Sequence, residues 1–329
     1  MELIQSRIVS FGHAEPSKTL TNFDLEKIVD TSDEWIKTRT GINQRKIVNY
    51  SDKENHLSLS LDSANMAIKR AKLKNSDIDA VIVCTISPDT YMPNASARLC
   101  DKLGITCYSF DLSAACAGWL SGCHVAKSLI ATGDHKNVLV VGTEILSRGL
   151  NWDDRSTCVI FGDGSGACVI SAATDDSKIL GSCVHTWPDT NESLVTETPS
   201  IRNSYICKDF DKTKLGIHMT GQDVFKNASK AMVKAAKEVL TKTNTSLEEI
   251  KWFVPHQANL RIIEMVAKLL NFPMEKTYVN IQDWANTSSA TMPICLSEMT
   301  EKGLLKKGDL ILCDTFGGGF SFGAMLFRY

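Results

Sequence analysis

The chain lacks any run of about eighteen apolar residues, so no stretch of it is built to span a membrane. Its first residues, Met1-Glu2-Leu3-Ile4-Gln5-Ser6-Arg7, hold no apolar core of a signal peptide. Neither C-x-x-C nor H-E-x-x-H occurs, which removes common metal-site spacings, and no metal is expected. A basic excess is missing as well. The formal net charge is −2, so nucleic acid is not an expected partner. Eleven cysteines are spread over 329 residues without the dense, short framework of a secreted disulfide domain. A reducing, cytoplasmic compartment is therefore expected. Hydrophobic content of 43% and charged content of 22% suit a soluble globular chain, long enough for two packed units.

The chain is organised around Asp111-Leu112-Ser113-Ala114-Ala115-Cys116-Ala117-Gly118-Trp119. Before it, Thr106-Cys107-Tyr108-Ser109-Phe110 reads as a buried strand. After it, residues 120–130 carry apolar side chains at helical spacing. Cys116 thus falls where a strand ends and a helix begins. Unpaired backbone N–H groups and the positive end of the helix macrodipole face that place. A thiol there ionises more readily, and the thiolate is the nucleophile. Ala114, Ala115, Ala117 and Gly118 leave the sulfur uncrowded. The alternative is a small core hydrophobe, the usual state of a free cysteine, and position alone leaves both open.

Elsewhere the elements alternate. Thr31-Ser32-Asp33-Glu34 has capping-box character, opening a helix through Arg39 that Thr40-Gly41 stops. Trp35 and Arg39 are four apart and share a helix face, as a packing pair or a binding pair. Residues 59–71 form an amphipathic helix and 78–84 a strand, bounded by Pro88 and Pro93-Asn94. Val138-Leu139-Val140-Val141-Gly142 is a further apolar strand. The glycines of Phe161-Gly162-Asp163-Gly164-Ser165-Gly166-Ala167 precede a strand rather than a helix. They read as a tight turn and not as a phosphate cradle. Residues 173–216 read as a polar, irregular connection with a loop able to cover a site.

The second half repeats the first. Ile78 matches Ile250, Cys107-Tyr108 matches Thr277-Tyr278, Val138-Leu139-Val140-Val141 matches Leu310-Ile311-Leu312-Cys313, and Gly166-Ala167 matches Gly323-Ala324, all in the same order. This predicts a duplicated α/β unit, 1–174 and 175–329, with mixed, helix-covered sheets. Cys116 follows Tyr108 by eight residues and Asn286 follows Tyr278 by eight. His256 ends the strand equivalent to the one that ends near Cys84. Strand ends are where α/β folds collect ligands. Gly317-Gly318-Gly319 offers backbone N–H donors without side-chain bulk. A thiolate, an imidazole, an amide and backbone donors suit acyl transfer, although His256 and Asn286 taken singly read as structural.

Together these stretches resemble the β-ketoacyl-acyl carrier protein synthase III family, thiolase-fold condensing enzymes that start type II fatty-acid synthesis. The motifs that carry the resemblance span nearly the whole chain. They are Asp30-Thr31-Ser32-Asp33-Glu34-Trp35-Ile36 with Thr38-Arg39-Thr40-Gly41-Ile42, Ala114-Ala115-Cys116-Ala117-Gly118, Phe161-Gly162-Asp163-Gly164, Val254-Pro255-His256-Gln257-Ala258-Asn259-Leu260-Arg261, Asn286-Thr287-Ser288 and Phe316-Gly317-Gly318-Gly319-Phe320. The resemblance implies a layered αβαβα core. It implies a catalytic triad of Cys116, His256 and Asn286, with the backbone N–H groups of Cys116 and Gly318 as an oxyanion hole. Coenzyme A would be held by Thr31, Trp35, Arg39, Arg155 and Asn259, and the acyl group by Met92, Leu146, Phe161 and Phe316. Arg261 and Lys268 would meet the carrier protein. The partners implied are acyl-CoA, malonyl-acyl carrier protein and a second copy of the chain, whose acyl pocket the Met92 loop would enter. No metal or redox cofactor is implied.

The chain departs from the family pattern at Ala285, where glycine is usual, at Ser289 and Thr291 after the Asn-Thr, and at Met92, where an aromatic is common. Two rivals stay in view: a related acyltransferase of secondary metabolism, and a non-catalytic acyl-binding protein. A degradative thiolase would carry a cysteine where Phe316 stands, and an elongating synthase a histidine where Asn286 stands.

Overall fold

The structure, a computed structural model, describes residues 3–50, 54–196 and 216–329. Its two main sheets grow from apolar runs long enough to be buried on both faces. Every residue of β4 (Ala80–Cys84) and β12 (Leu310–Gly317) is buried, as in strands covered by helices on both sides. The first sheet runs β1 (Ser6–Ala14), β7 (Asp163–Ala172), β6 (Asn137–Ile145), β4, β5 (Tyr108–Leu112). β4 is parallel to β5 and β6, and β7 is antiparallel to β1 and β6. The second runs β8 (Lys178–Thr186), β13 (Ser321–Arg328), β12, β11 (Trp252–Pro255), with β11 parallel to β12 and the other pairs antiparallel. Thr277 bridges Phe253 in parallel, where β5 stands in the first sheet. The two sheets therefore share one strand order.

Helices fill three layers around them. Between the sheets lie α5 (Gly118–Ala131) and α9 (Thr291–Glu301). Trp119, Leu120 and Cys123 of one and Met292, Cys295 and Leu296 of the other share a core with Ile82, Val140, Ile311 and Met325. α3 (His56–Arg70) and α4 (Ala95–Leu103) cover the first sheet's outer face on Val81, Val83 and Leu139. α6 (Gly221–Thr243) and α7 (Leu260–Leu270) cover the second on Leu310, Leu312 and Leu326. The layer order is αβαβα. Each fully buried leucine of these faces contributes roughly 1.5–3 kcal/mol over an exposed one.

Shorter elements close the end that holds the site. They are the ribbon of β2 (Lys18–Thr21) and β3 (Gln44–Ile47), helices α1 (Asn22–Leu25), α2 (Asp33–Thr40) and α8 (Ile281–Trp284), and the ribbon of β9 (Leu194–Thr196) and β10 (Ile217–Met219). α2 forms as its sequence dictates. Ser32 is the N-cap and accepts a bond from Trp35 N, acidic Asp33 and Glu34 open the helix, Lys37 and Arg39 close it, and Gly41 ends it in a left-handed conformation.

Four expectations change. The glycines 162–166 are not a turn: β7 begins at Asp163. A Cβ on Gly166 would lie 2.8 Å from Ile294 N and Pro293 Cβ, so a bare backbone is needed there for α9 to pack on the strand. Residues 173–216 are not irregular throughout, since nine of them form β8, whose apolar residues are flanked by the polar turns that dominate the composition; residues 197–215 lie outside the described residues. β5 is an edge strand, and Tyr108 is 56% exposed rather than buried. Finally, the backbone aligns Cys116 with Ser289, not Asn286. α5 and α9 each follow a short 3₁₀ turn, Ala115–Ala117 and Ser288–Ala290, that opens on a left-handed residue, Ala115 (φ 45°) and Ser288 (φ 50°). The eight-residue match to Tyr278 is offset because the second half also fits in α8 before its turn.

Candidate active site

Cys116 sits in the turn that leads into α5 and is buried. β12 fixes that turn from the other half of the molecule. Thr315 Oγ1 donates to Cys116 O at 3.0 Å. Gly317 lies so close that a Cβ there would stand 2.7 Å from Cys116 N. Burial pushes the Cys116 thiol up to about 12, while the Ser288 side chain and the cysteine's own backbone N–H pull the other way. The sequence predicts an acidified thiol at a helix terminus; in the closed protein, loss of water outweighs that, and the resting group is a thiol.

His256 follows β11 and is buried. Its Nδ1 is 2.6 Å from Thr291 Oγ1, and the same hydroxyl is 3.1 Å from Ser288 O. Burial lowers the imidazole to about 3, so the ring is neutral. Asn286 is joined to the first half as in a sheet: its N–H donates to Ile160 O and its carbonyl accepts from Gly162 N, both at 3.0 Å. Ser288 N–H donates to Asn286 Oδ1 at 2.8 Å, which leaves the amide nitrogen as its free donor face.

Two cavities meet at Cys116, Phe161 and Leu194. The smaller, 240 Å³, is lined by Cys116, His256 and Asn286 together with Trp35, Arg39, Arg155 and Asn259. The larger, 620 Å³, is lined by Cys116, Gly318, Leu146 and Phe161, and by Thr85, Ile86, Asp111 and Ser113. Three expected residues fall elsewhere. Thr31 lines neither cavity. Phe316 lines the smaller one, beside His256, because alternate residues of β12 face opposite layers. Met92 is 90% exposed and lines neither cavity of its own chain. Arg261 and Lys268 share an exposed face of α7, with Glu264 between them.

The cation over the Trp35 ring is Arg155, at 5.1 Å, rather than Arg39 one turn along. Arg155 is oriented by a bond from its Nη1 to Asp30 O at 2.9 Å. Asn259 caps α7 through Arg261 N and reaches Arg39 O with its amide nitrogen at 3.1 Å, joining the two helices at the cavity mouth. Sequence reasoning missed Thr291 as the partner of His256, and it missed Glu144, which is buried beside the cysteine. Thr291 is one of the departures from the family pattern, and only the fold brings it to His256. Among the described residues, one group of side chains able to ligate a metal, Cys183, His185 and Glu238, lies on β8 and α6 and lines neither cavity.

Layers in this order around a cysteine at the start of the central helix make the thiolase fold, and the groups gathered on that cysteine's cavity are those of a condensing acyltransferase. Residues 110–188 match the family model for 3-oxoacyl-[acyl-carrier-protein] synthase III, and residues 240–329 match the model for its C-terminal part. The chain belongs to the β-ketoacyl-[acyl-carrier-protein] synthase III family. It is 45% identical to the family member of Campylobacter fetus over 329 residues, covering 99% of this chain and 98% of that one. It is 42% identical to that of Clostridium acetobutylicum, covering 98% of each. The crystal structure of 3-oxoacyl-[acyl-carrier-protein] synthase III from Aquifex aeolicus matches with a TM-score of 0.91 at 41% identity, over 98% of this chain and all of that one.

The state of His256 is open to measurement. An unfolded imidazole takes up a proton below 6.5 and the folded one only near 3. This residue therefore withdraws stability as pH falls from 6.5. In NMR spectra of ring-labelled protein, the His256 signals should show no titration step between about pH 8 and about pH 5.5. A step near the ordinary value would show that the imidazole is not held neutral.

Proposed function

We propose that this chain condenses an acyl-CoA primer, acetyl-CoA or another short acyl-CoA, with malonyl-acyl carrier protein, giving 3-oxoacyl-carrier protein, CoA and CO2 at the start of fatty-acid synthesis. The observation that carries this reading is the cavity on which Cys116, His256 and Asn286 open together. In the first half-reaction the Cys116 sulfur attacks the thioester carbonyl, and the thiol proton leaves with coenzyme A. The backbone N–H groups of Cys116 and Gly318 hold the oxyanion, each such donor contributing about 3 kcal/mol. In the second, the malonyl C–C bond breaks and CO2 departs. The electron pair moves onto the thioester as an enolate, to which His256 and Asn286 donate hydrogen bonds. Thr291 Oγ1 holds the far side of the ring at Nδ1 and leaves Nε2 turned to the substrate. The enolate carbon then attacks the acyl-cysteine, and the released sulfur takes up a proton. No step calls for a metal or redox group.

The supporting contacts divide by substrate. Trp35, with Arg155 stacked on it and Arg39 beside it, suits the adenine and phosphates of coenzyme A. Arg261 and Lys268 on the exposed face of α7 suit an acidic carrier protein. Sheet composition supports two halves, 1–174 and 175–329, because all strands of the first sheet precede Ala173 and all strands of the second follow Asp175. The unpaired edge of β5 and exposed Tyr108 and Met92 support a homodimer, with the Met92 loop reaching the neighbour's larger cavity. Among the described residues no helix is long and apolar enough to cross a membrane, and every cysteine is a free thiol, which suits the cytoplasm. The 620 Å³ cavity favours a second reading, the same chemistry on a bulkier donor in secondary metabolism. Mass spectrometry after incubation with a panel of acyl-CoAs separates the two: loading by acetyl-CoA fits the first, and loading by bulky donors alone fits the second.

Three outcomes are expected. Cys116→Ala should fold and form no acyl-enzyme, whereas His256→Ala and Asn286→Ala should keep Cys116 acylation and lose malonyl decarboxylation by about 10²-fold or more. Acylation of the Cys116→Ala protein, or unchanged CO2 release by both others, would overturn these roles. In steady-state kinetics with both substrates varied, Trp35→Ala plus Arg39→Ala should raise KM for acyl-CoA alone. Arg261→Glu plus Lys268→Glu should raise KM for the carrier protein alone, an effect that weakens with salt. Both pairs acting on one substrate would refute the two-site division. Sedimentation velocity should give a dimer; a fully active monomer would exclude a shared pocket.

A further inference from the structure

Glu144, near the end of β6, is fully buried, and its partners are hydroxyls and one backbone N–H. Its two oxygens serve different halves of the molecule. Oε2 accepts from Ile86 N–H at 3.1 Å, Ser87 Oγ at 2.6 Å and Thr85 Oγ1 at 3.2 Å, all in the loop that follows β4. Oε1 accepts from Ser288 Oγ at 3.2 Å and faces Ser289 Oγ at 3.1 Å, a hydroxyl that also reaches Cys84 O at 2.9 Å. Burial pushes the carboxyl up to about 7, and the bonds from Ser87, Ile86, Ser289 and Ser288 hold it down against that.

Each bridged segment bears on the cavities. Thr85 and Ile86 line the larger one. Ser288 gives its N–H to Asn286 Oδ1 and its side chain to Glu144. Ser288 also has φ 50°, a left-handed conformation that a serine keeps only where its surroundings impose it. Glu144 is one of those surroundings. A carboxylate costs much to bury without a cation, so five donors gathered on one point mark a position where alignment matters more than burial.

We propose that Glu144 is a positioning residue for the condensation half-reaction: it clamps the acyl-cavity wall of the first half to the Ser288–Ser289 turn of the second and so fixes the direction of the Asn286 amide. This rests on the reading that Asn286 meets the malonyl thioester. Glu144 itself touches no reacting atom. The clamp acts on the turn, whereas the Cys116 backbone is anchored separately by Thr315. Glu144 and the Ser288 hydroxyl act on the Cys116 thiol in opposite senses, so acylation depends on the clamp less than decarboxylation does.

The test compares Glu144→Ala, Glu144→Gln and the double variant Ser288→Ala plus Ser289→Ala, with Asn286→Ala as reference. Acylation by acetyl-CoA is read by mass spectrometry and malonyl-carrier decarboxylation by CO2 release. Glu144→Ala and the double variant should lower the decarboxylation kcat by about 10- to 10²-fold, with KM for the malonyl carrier within about threefold of the parent and acylation changed by a clearly smaller factor than decarboxylation. Glu144→Gln should fall between, because its amide keeps one acceptor and turns donors toward the other segment. Decarboxylation by Glu144→Ala at the parental rate would overturn the proposal. So would a fall in acylation and decarboxylation by the same factor, the mark of a merely structural loss. Should Glu144→Ala fail to fold, the double variant and Glu144→Gln decide by the same criteria. Parental decarboxylation by Asn286→Ala would instead defeat the reading of Asn286, and the proposal with it.

Discussion

Bare backbones pressed together at one point set the geometry of the site. A Cβ on Gly118 would fall 3.3 Å from Ser289 Cβ, one on Gly142 2.6 Å from Ser289 O, and one on Gly317 2.7 Å from Cys116 N. Segments from both sheets and the starts of both central helices therefore touch with no side chain between them. Interiors are packed too tightly to absorb an extra methyl group at such a point without moving backbone. The five layers carry this contact: two sheets of one strand order face each other across α5 and α9, so the turn that opens each helix arrives beside its counterpart. One turn holds Cys116. The other has given the equivalent place to Ser289 and carries Asn286 on the approach.

The same closeness removes water, and that decides the charge states. A buried thiol pushed up to about 12 and an imidazole lowered to about 3 are both neutral at ordinary pH. Burial works against a resting thiolate–imidazolium pair. In the proposed reaction these neutral donors face the places where negative charge develops, which in a dry cavity stabilises an oxyanion or enolate without reorganisation. A neutral imidazole donates through one nitrogen only, so the group on the other nitrogen matters, and Thr291 stands there.

Local signals made most of the fold legible. β4 and β12 are apolar runs, the ends of α2 are written in Ser32, Asp33, Glu34 and Gly41, and Cys116 stands at its strand-to-helix junction because small residues surround it in sequence. The residues that line the smaller cavity with it were also legible through motifs. What stayed hidden depended on pairing across the chain. Gly164 and Gly166 look like a turn until α9 packs on them. The partner of Trp35 is a cation from a distant loop, Arg155, and sequence spacing offers Arg39 instead. The match of Cys116 to Ser289 rather than Asn286 is invisible because α8 shifts the count. Glu144 reads as one polar residue ending an apolar strand, and only the folded chain brings five donors to it.

Ala285 shows how far Asn286 is held against local preference. Its φ of 60° and ψ of −162° lie in a region that glycine occupies freely, and an alanine there costs about 1–3 kcal/mol. The cost is met by the surroundings. Ala285 is fully buried in the core that also holds Ile281, Ile42 and Val159, and its N–H donates to Ile281 O at 2.8 Å. The next residue, Asn286, is tied at its own N–H and carbonyl to Ile160 and Gly162, at its side-chain oxygen to Ser288 N–H, and through Ser288 to Glu144. These ties come from three separate parts of the chain and together set the amide's direction. A hydrogen-bond donor with the role proposed for Asn286, meeting an enolate, gains most when its orientation is fixed before substrate arrives. A strained alanine beside it is tolerated because the residues on either side leave the backbone no other path.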